Sequence, residues 1–109
     1  EEHTNGKQIA TILINSLKNK CDKDNINFYV VPLTHERYSN YDKNNLQFVL
    51  DAIDEDINVI NVFDHLEGIR EENPDLFSSY FLKKNYHYSK QGNEYVARFI
   101  FNELEKSSS

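Results

Sequence analysis

The chain has 109 residues, near the modal length of one domain, and its 39% hydrophobic content with seven Tyr and seven Phe is too aromatic for a disordered chain. The formal net charge of −6, with no basic cluster, excludes the electrostatic footprint of a nucleic-acid binder, and no apolar run approaches the about 18 residues that span a bilayer. The single cysteine excludes an intrachain disulfide and any zinc site that needs two or more cysteines, and it does not fix the compartment. No basic-then-apolar leader opens the sequence given, so no signal peptide is expected in it.

Thr4 or Asn5 can cap a first helix, in which Ile9, Ile12, Leu13 and Leu17 recur at helical spacing over roughly residues 6 to 21. Polar Asp22 to Asn25 ends it. Ile26 to Leu33 is β-rich and reads as a strand leading into Pro32. Thr34 to Tyr41 is a polar, aromatic loop. Asp42 is placed to cap a second helix, with Leu46, Val49, Leu50 and Ile53 as its apolar stripe and Asp54, Glu55 and Asp56 at its close. Ile57 to Phe63 reads as a second strand. Asp64 to Glu72 is expected as a short helix that stops before Pro74. Leu76, Phe77, Tyr80, Phe81 and Leu82 form an apolar patch in a long connection. Ser89 is the expected N-cap of a last helix, whose Val96, Ile100 and Leu104 face inward, and Glu103 to Ser109 is expected to fray.

A strand, a helix and a strand in this order make a βαβ unit, so the two strands are expected to pair in parallel and the fold class is α/β. Parallel sheets are covered on both faces and usually have about four to six strands. Two strands cannot cover three amphipathic helices. The expectation is therefore a part of a larger sheet, its missing strands supplied by an absent N-terminal segment or a partner chain.

The run Asn85-Tyr86-His87-Tyr88-Ser89-Lys90-Gln91-Gly92-Asn93 carries the chemistry. His87 stands just before a capped helix, at the positive end of its dipole, where a neutral imidazole can serve as a general base. Gly92 falls in the first turn. Glycine costs up to ~1 kcal/mol there against Ala, and it permits a neighbouring backbone to approach closely. The connection leaves the carboxyl end of the second strand, the edge where open α/β sheets bind ligands.

With His87, Ser89, Gly92, Asn93, Val96 and Ala97, the last block resembles that of the SGNH (GDSL-type) hydrolases: a His, a small polar residue, a Gly, often His or Asn, then an apolar helix. The strand ending near Pro32 and the run Ile60-Asn61-Val62-Phe63-Asp64 fit the family's penultimate strands. The resemblance spans about Gly6 to Lys106 and is nearest the carbohydrate esterases and the alginate O-acetyltransferase-like group. It implies the C-terminal half of a flavodoxin-like, three-layer α/β/α domain and the chemistry of a serine ester hydrolase or O-acetyltransferase on an acylated carbohydrate or cell-envelope polymer. No cofactor is needed. The family's Gly-Asp-Ser block, its oxyanion-hole Gly and its Gly-x-Asn-Asp block are absent from these residues. The resemblance thus implies that the N-terminal half of the domain, or a partner chain, supplies the Ser. His87 is the implied general base. The family's Asp is Asn85 here, and position 84 is Lys84; Asn85 can orient the ring but offers no charge. Asp64 and Asp75 are alternative carboxylates. The other reading is a catalytically inert relative working as a binding or scaffold module.

His35 directly follows the first strand, and Arg37 and Tyr38 share its loop; these three are the candidate substrate contacts. Cys21 with His87 and Asn85 superficially makes a Cys-His-Asn set, but the topology puts Cys21 at the opposite edge of the sheet. His3, His35, His65 and His87 have no metal-ligand spacing, and no EF-hand pattern follows Asp54-Glu55-Asp56. Phe77, Tyr80, Phe81, Tyr86 and Tyr88 form either a small satellite core or a sugar-stacking platform.

Overall fold

The computed structural model describes residues 6–84 and 87–108. The expected caps Thr4 and Asn5, with His3, Asn85 and Tyr86, lie outside the described residues. The elements in chain order are α1 (Gly6–Lys23), β1 (Tyr29–Val30), α2 (Asn40–Ala52), β2 (Asn58–Val59), α3 (Val62–Glu72), α4 (Pro74–Ser79) and α5 (Lys90–Ser108). They fall into two units. One takes the chain up to Val30 and from Ser39 to Val59, the other Val31–Tyr38 and everything from Ile60 onward.

In the first unit α1 packs on α2. The Lys7 ammonium lies 4.9 Å from the centre of the Phe48 ring, and the Asn15 side chain accepts the Asp54 amide at 3.0 Å. Lys18 is only 8% exposed, its ammonium 2.6 Å from Asp22 and 3.2 Å from Asp56. The Asp22 carboxylate holds this lysine above its ordinary value, against the opposing pull of burial, and Asp56 adds to the rise. The periodic stripe of α1, Ile9, Ile12, Leu13 and Leu17, stays 45–63% exposed. The helix closes on Asn25 in the left-handed region (φ 58°), with the Ile26 amide donating to the Cys21 carbonyl at 2.8 Å and the Asn25 amide to Asp22 at 3.3 Å. This is a Schellman motif, and Asn tolerates its backbone better than most side chains. Ser39, rather than Asp42, caps α2. The Ser39 hydroxyl accepts the Asp42 amide at 3.1 Å while the Asp42 carboxylate takes the Ser39 amide, a reciprocal capping box.

β1 and β2 pair in parallel, with Tyr29 opposite Asn58 and Val30 opposite Val59. The ladder is far shorter than the β-rich runs suggest. Pro32 has no N–H to continue the first strand. At the second, the Asn61 side chain accepts the Asp64 amide at 2.9 Å and so starts a helix that captures Val62 and Phe63. Helix takes 66% of the described residues and strand 6%, and the only ladder of named strands among them is this pair. The expected flavodoxin-like, three-layer α/β/α sheet is therefore not the fold: the described residues are mostly helical.

The second unit has its core at Ile60, Val62, Phe63, Leu66, Phe77, Tyr80 and Phe81, all buried. Asn73 ends α3, donating its amide to the Ile69 carbonyl, and its side chain starts α4 by accepting the Leu76 amide at 3.1 Å, with Pro74 in the first turn. α4 replaces part of the expected long connection. An antiparallel bridge between Phe81 and Tyr88 then leads into α5, which stays helical to Ser108 where fraying was expected.

Candidate functional site

The entry to α5 is built by short bonds on Ser89. Its hydroxyl accepts the Gly92 amide at 3.1 Å and donates to the Ser79 carbonyl at 2.8 Å, and its own amide donates to the Tyr80 carbonyl at 2.8 Å. Ser89 thus caps the helix and ties it to the end of α4. Gly92 closes the same joint: a Cβ built on it would meet the carbonyl carbon of Tyr80 at 2.8 Å. The close approach expected of this glycine is present, and Tyr80 is the neighbour.

His87 is exposed two residues before Ser89, and its carbonyl accepts the Leu82 amide at 2.7 Å. The next residue, Tyr88, donates its hydroxyl to the Thr34 carbonyl. Its ring packs 4.8 Å from Phe81, and burial pushes the phenol above its ordinary value although the bond to Thr34 opposes the rise. The His87 segment is in this way fastened to the loop that carries His35, Arg37 and Tyr38. Asn85, the expected partner of the His87 ring, lies outside the described residues.

That loop is itself braced. The His35 Nδ1 accepts the Arg37 amide at 3.2 Å. The His35 ring lies 5.0 Å from Tyr38, whose ring lies 4.9 Å from Phe63. Thr34 is 2% exposed and donates its hydroxyl to Glu67 at 2.7 Å. Arg70 reaches the carbonyls of His35 and Glu36, each at 2.9 Å, bonds Glu67 at 3.0 Å and lies 4.1 Å over the Phe77 ring. Thr34, Glu67 and Arg70 were not singled out from the sequence. The spacing of Glu67 and Arg70 by three residues on a helix was the available signal, but it points as readily to a surface pair.

Asp64 is engaged at the start of α3, its carboxylate accepting from the Asn61 amide group at 3.0 Å. Cys21 is half-buried near the end of α1. His65 bonds the Tyr95 hydroxyl at 2.6 Å and stacks 4.3 Å from Phe99, beside an open groove of about 200 Å³ that Arg98 and Asn102 also line. Tyr95 stacks in turn on Tyr80 at 4.8 Å, so Tyr80, Tyr95, His65 and Phe99 form a packed column. Among the described residues no group of three His, Cys, Asp or Glu side chains is placed to hold a metal ion, and no helix is long and apolar enough to cross a membrane. No protein-family model, curated protein or solved structure matches the chain.

Proposed function

We propose that this chain is the C-terminal, histidine-bearing portion of an SGNH-like serine ester hydrolase or O-acetyltransferase that acts on an acylated carbohydrate or cell-envelope polymer. The observation that carries the reading is the exposed His87 at the entry to α5, joined through Tyr88 to the His35-bearing loop. A general base must come within hydrogen-bond reach of the proton it takes, and the exposed His87 is open to a serine carried by another segment. The nucleophilic Ser and the oxyanion hole come from the N-terminal half of the same domain or from a partner chain. In the reaction His87 takes the proton of that serine as its oxygen attacks the ester carbonyl. The imidazolium then gives the proton to the departing alkoxide, leaving an acyl-serine. Water, for hydrolysis, or a second sugar hydroxyl, for transfer, then attacks the acyl-serine while His87 takes its proton; the bond to the serine oxygen breaks and His87 returns the proton to that oxygen. His35, Arg37 and Tyr38 contact the substrate.

The test is labelling of the chain together with the segment that supplies the serine, using a fluorophosphonate probe, with release of acetate from acetylated xylan followed in parallel. The expected result is one labelled serine and acetate release, both lost in His87→Ala. The second reading, an inert binding or scaffold module, is favoured by Asn85 where the family carries Asp. No labelling and unchanged retention of xylan by His87→Ala would establish it instead.

A further inference from the structure

Four hydrogen bonds converge on residues 34–38 of the loop between β1 and α2, a stretch that has no regular structure of its own. The fork of Arg70 takes the carbonyls of His35 and Glu36 with its two terminal nitrogens, each at 2.9 Å. The Tyr88 hydroxyl takes the carbonyl of Thr34, and the Thr34 hydroxyl goes to Glu67 at 2.7 Å. Glu67 also holds the Arg70 Nε at 3.0 Å, and Phe77 lies under the guanidinium. Both the head and the plane of Arg70 are therefore fixed before it meets the loop. A planar fork holds two successive carbonyls in one geometry, which a lysine ammonium cannot do.

The loop turns this bracing into chemistry at His35. Its Nδ1 accepts the Arg37 amide at 3.2 Å. In a neutral ring the proton is then on Nε2, which makes that nitrogen a donor. The tilted contact with Tyr38, itself set against Phe63, limits ring rotation. We propose that Arg70 is a positioning residue: by holding the His35 and Glu36 carbonyls it shapes the loop so that His35 offers Nε2–H to an acceptor oxygen of the substrate, an ester carbonyl or a sugar hydroxyl. The substrate half of this statement rests on the acyl-transfer reading above, whereas the positioning half does not.

The experiment is nuclear magnetic resonance on the wild-type chain, Arg70→Lys and Glu67→Gln, reading the imidazole nitrogens of His35, the carbonyl carbons of His35 and Glu36, and amide exchange at Arg37. In the wild type only Nε2 of His35 carries the proton at neutral ring charge. Arg70→Lys shifts both carbonyl carbons, lets the two ring nitrogens draw together as tautomers mix, and speeds Arg37 exchange by about tenfold. Glu67→Gln keeps the guanidinium but sets an NH2 group where one carboxylate oxygen now accepts, and is expected to move the carbonyl shifts in the same direction by a smaller amount. A wild-type ring protonated on Nδ1 overturns the proposal without any variant. A lower melting temperature in Arg70→Lys with all three loop signals unmoved overturns it too, since Arg70 would then serve helix packing alone. Glycerol triacetate is the substrate probe. It is expected to move the His35 Nε2–H resonance in the wild type and not in Arg70→Lys. A correct tautomer with no response to triacetate removes the substrate half and leaves the loop geometry standing.

Discussion

A Cβ on Gly92 would stand 2.0 Å from the carbonyl oxygen of Tyr80, a separation that a non-bonded carbon and oxygen cannot hold. The carbonyl also accepts the Ser89 amide, so it cannot swing aside without breaking the bond that ties α5 to the end of α4. In most helix interiors glycine to alanine is a gain of up to ~1 kcal/mol. Here the sign reverses. Gly92→Ala is expected to lose about 1–3 kcal/mol through overpacking, read as a lower urea midpoint. Gly68 in α3 is the internal comparison, because a Cβ there meets nothing within 4 Å. Gly68→Ala is expected to gain up to ~1 kcal/mol, read as a higher midpoint in the same assay.

Tyr88→Phe removes the donor to the Thr34 carbonyl and is expected to cost about 1–2 kcal/mol in urea unfolding. It also changes the alkaline limb. Burial raises the Tyr88 phenol above its ordinary 10.0 in the folded chain, so the unfolded chain loses this proton first. Its share of stability is fully present below the unfolded value and is lost as pH rises through the folded one. Tyr80, raised by burial and then by Tyr95, acts in the same window. The wild type is thus expected to weaken steeply above pH 10.0, and Tyr88→Phe less steeply; parallel limbs would show that Tyr88 is not the buried titrating group.

Asn85 sets the rate if the acyl-transfer reading holds. In serine proteases an Asp to Asn change behind the catalytic histidine costs ~10⁴ in turnover. With the serine-bearing segment present, the natural protein is expected to be slow on a simple acetyl ester and Asn85→Asp to be faster across neutral pH. A fast wild type that Asp does not improve would mean that another carboxylate, Asp75 among the candidates, stands behind His87. His87→Ala should abolish turnover in either case and change the unfolding free energy by no more than about 0.5 kcal/mol, since the residue is exposed.

α1, α2, α3 and α5 were legible because their apolar spacing is long and regular, and the parallel pairing followed from a strand, helix and strand in sequence. What spacing does not report is which side of a helix finds a partner. On α1 the one buried residue is Lys18, while Ile9, Ile12, Leu13 and Leu17 stay wet. β-propensity misled at Val62 and Phe63, where a single Asn61 side chain outweighed it by starting a helix. Pro74 read as a stop, yet with Asn73 before it the same residue begins α4. At the site, Ser89 and Gly92 were readable since a helix start is a local event. The bracket of Thr34, Glu67 and Arg70 was not. Its bonds join residues more than thirty positions apart, and no local pattern marks both ends.

The wet stripe of α1 has a calorimetric consequence. The heat-capacity rise on unfolding comes from apolar surface that water reaches only when the chain opens, about 12–15 cal/mol/K per residue in ordinary domains. Ile9, Ile12, Leu13 and Leu17 already meet water at about half or more of their surface in the folded chain, as do Ile26 and Phe101. Only the other half of that surface is left to expose. The stability curve of this chain should accordingly be flatter than its length suggests, with a shallow denaturant slope to match. Any surface that came to cover the stripe would restore the curvature, so a scanning calorimeter would register the cover without needing to know what it was.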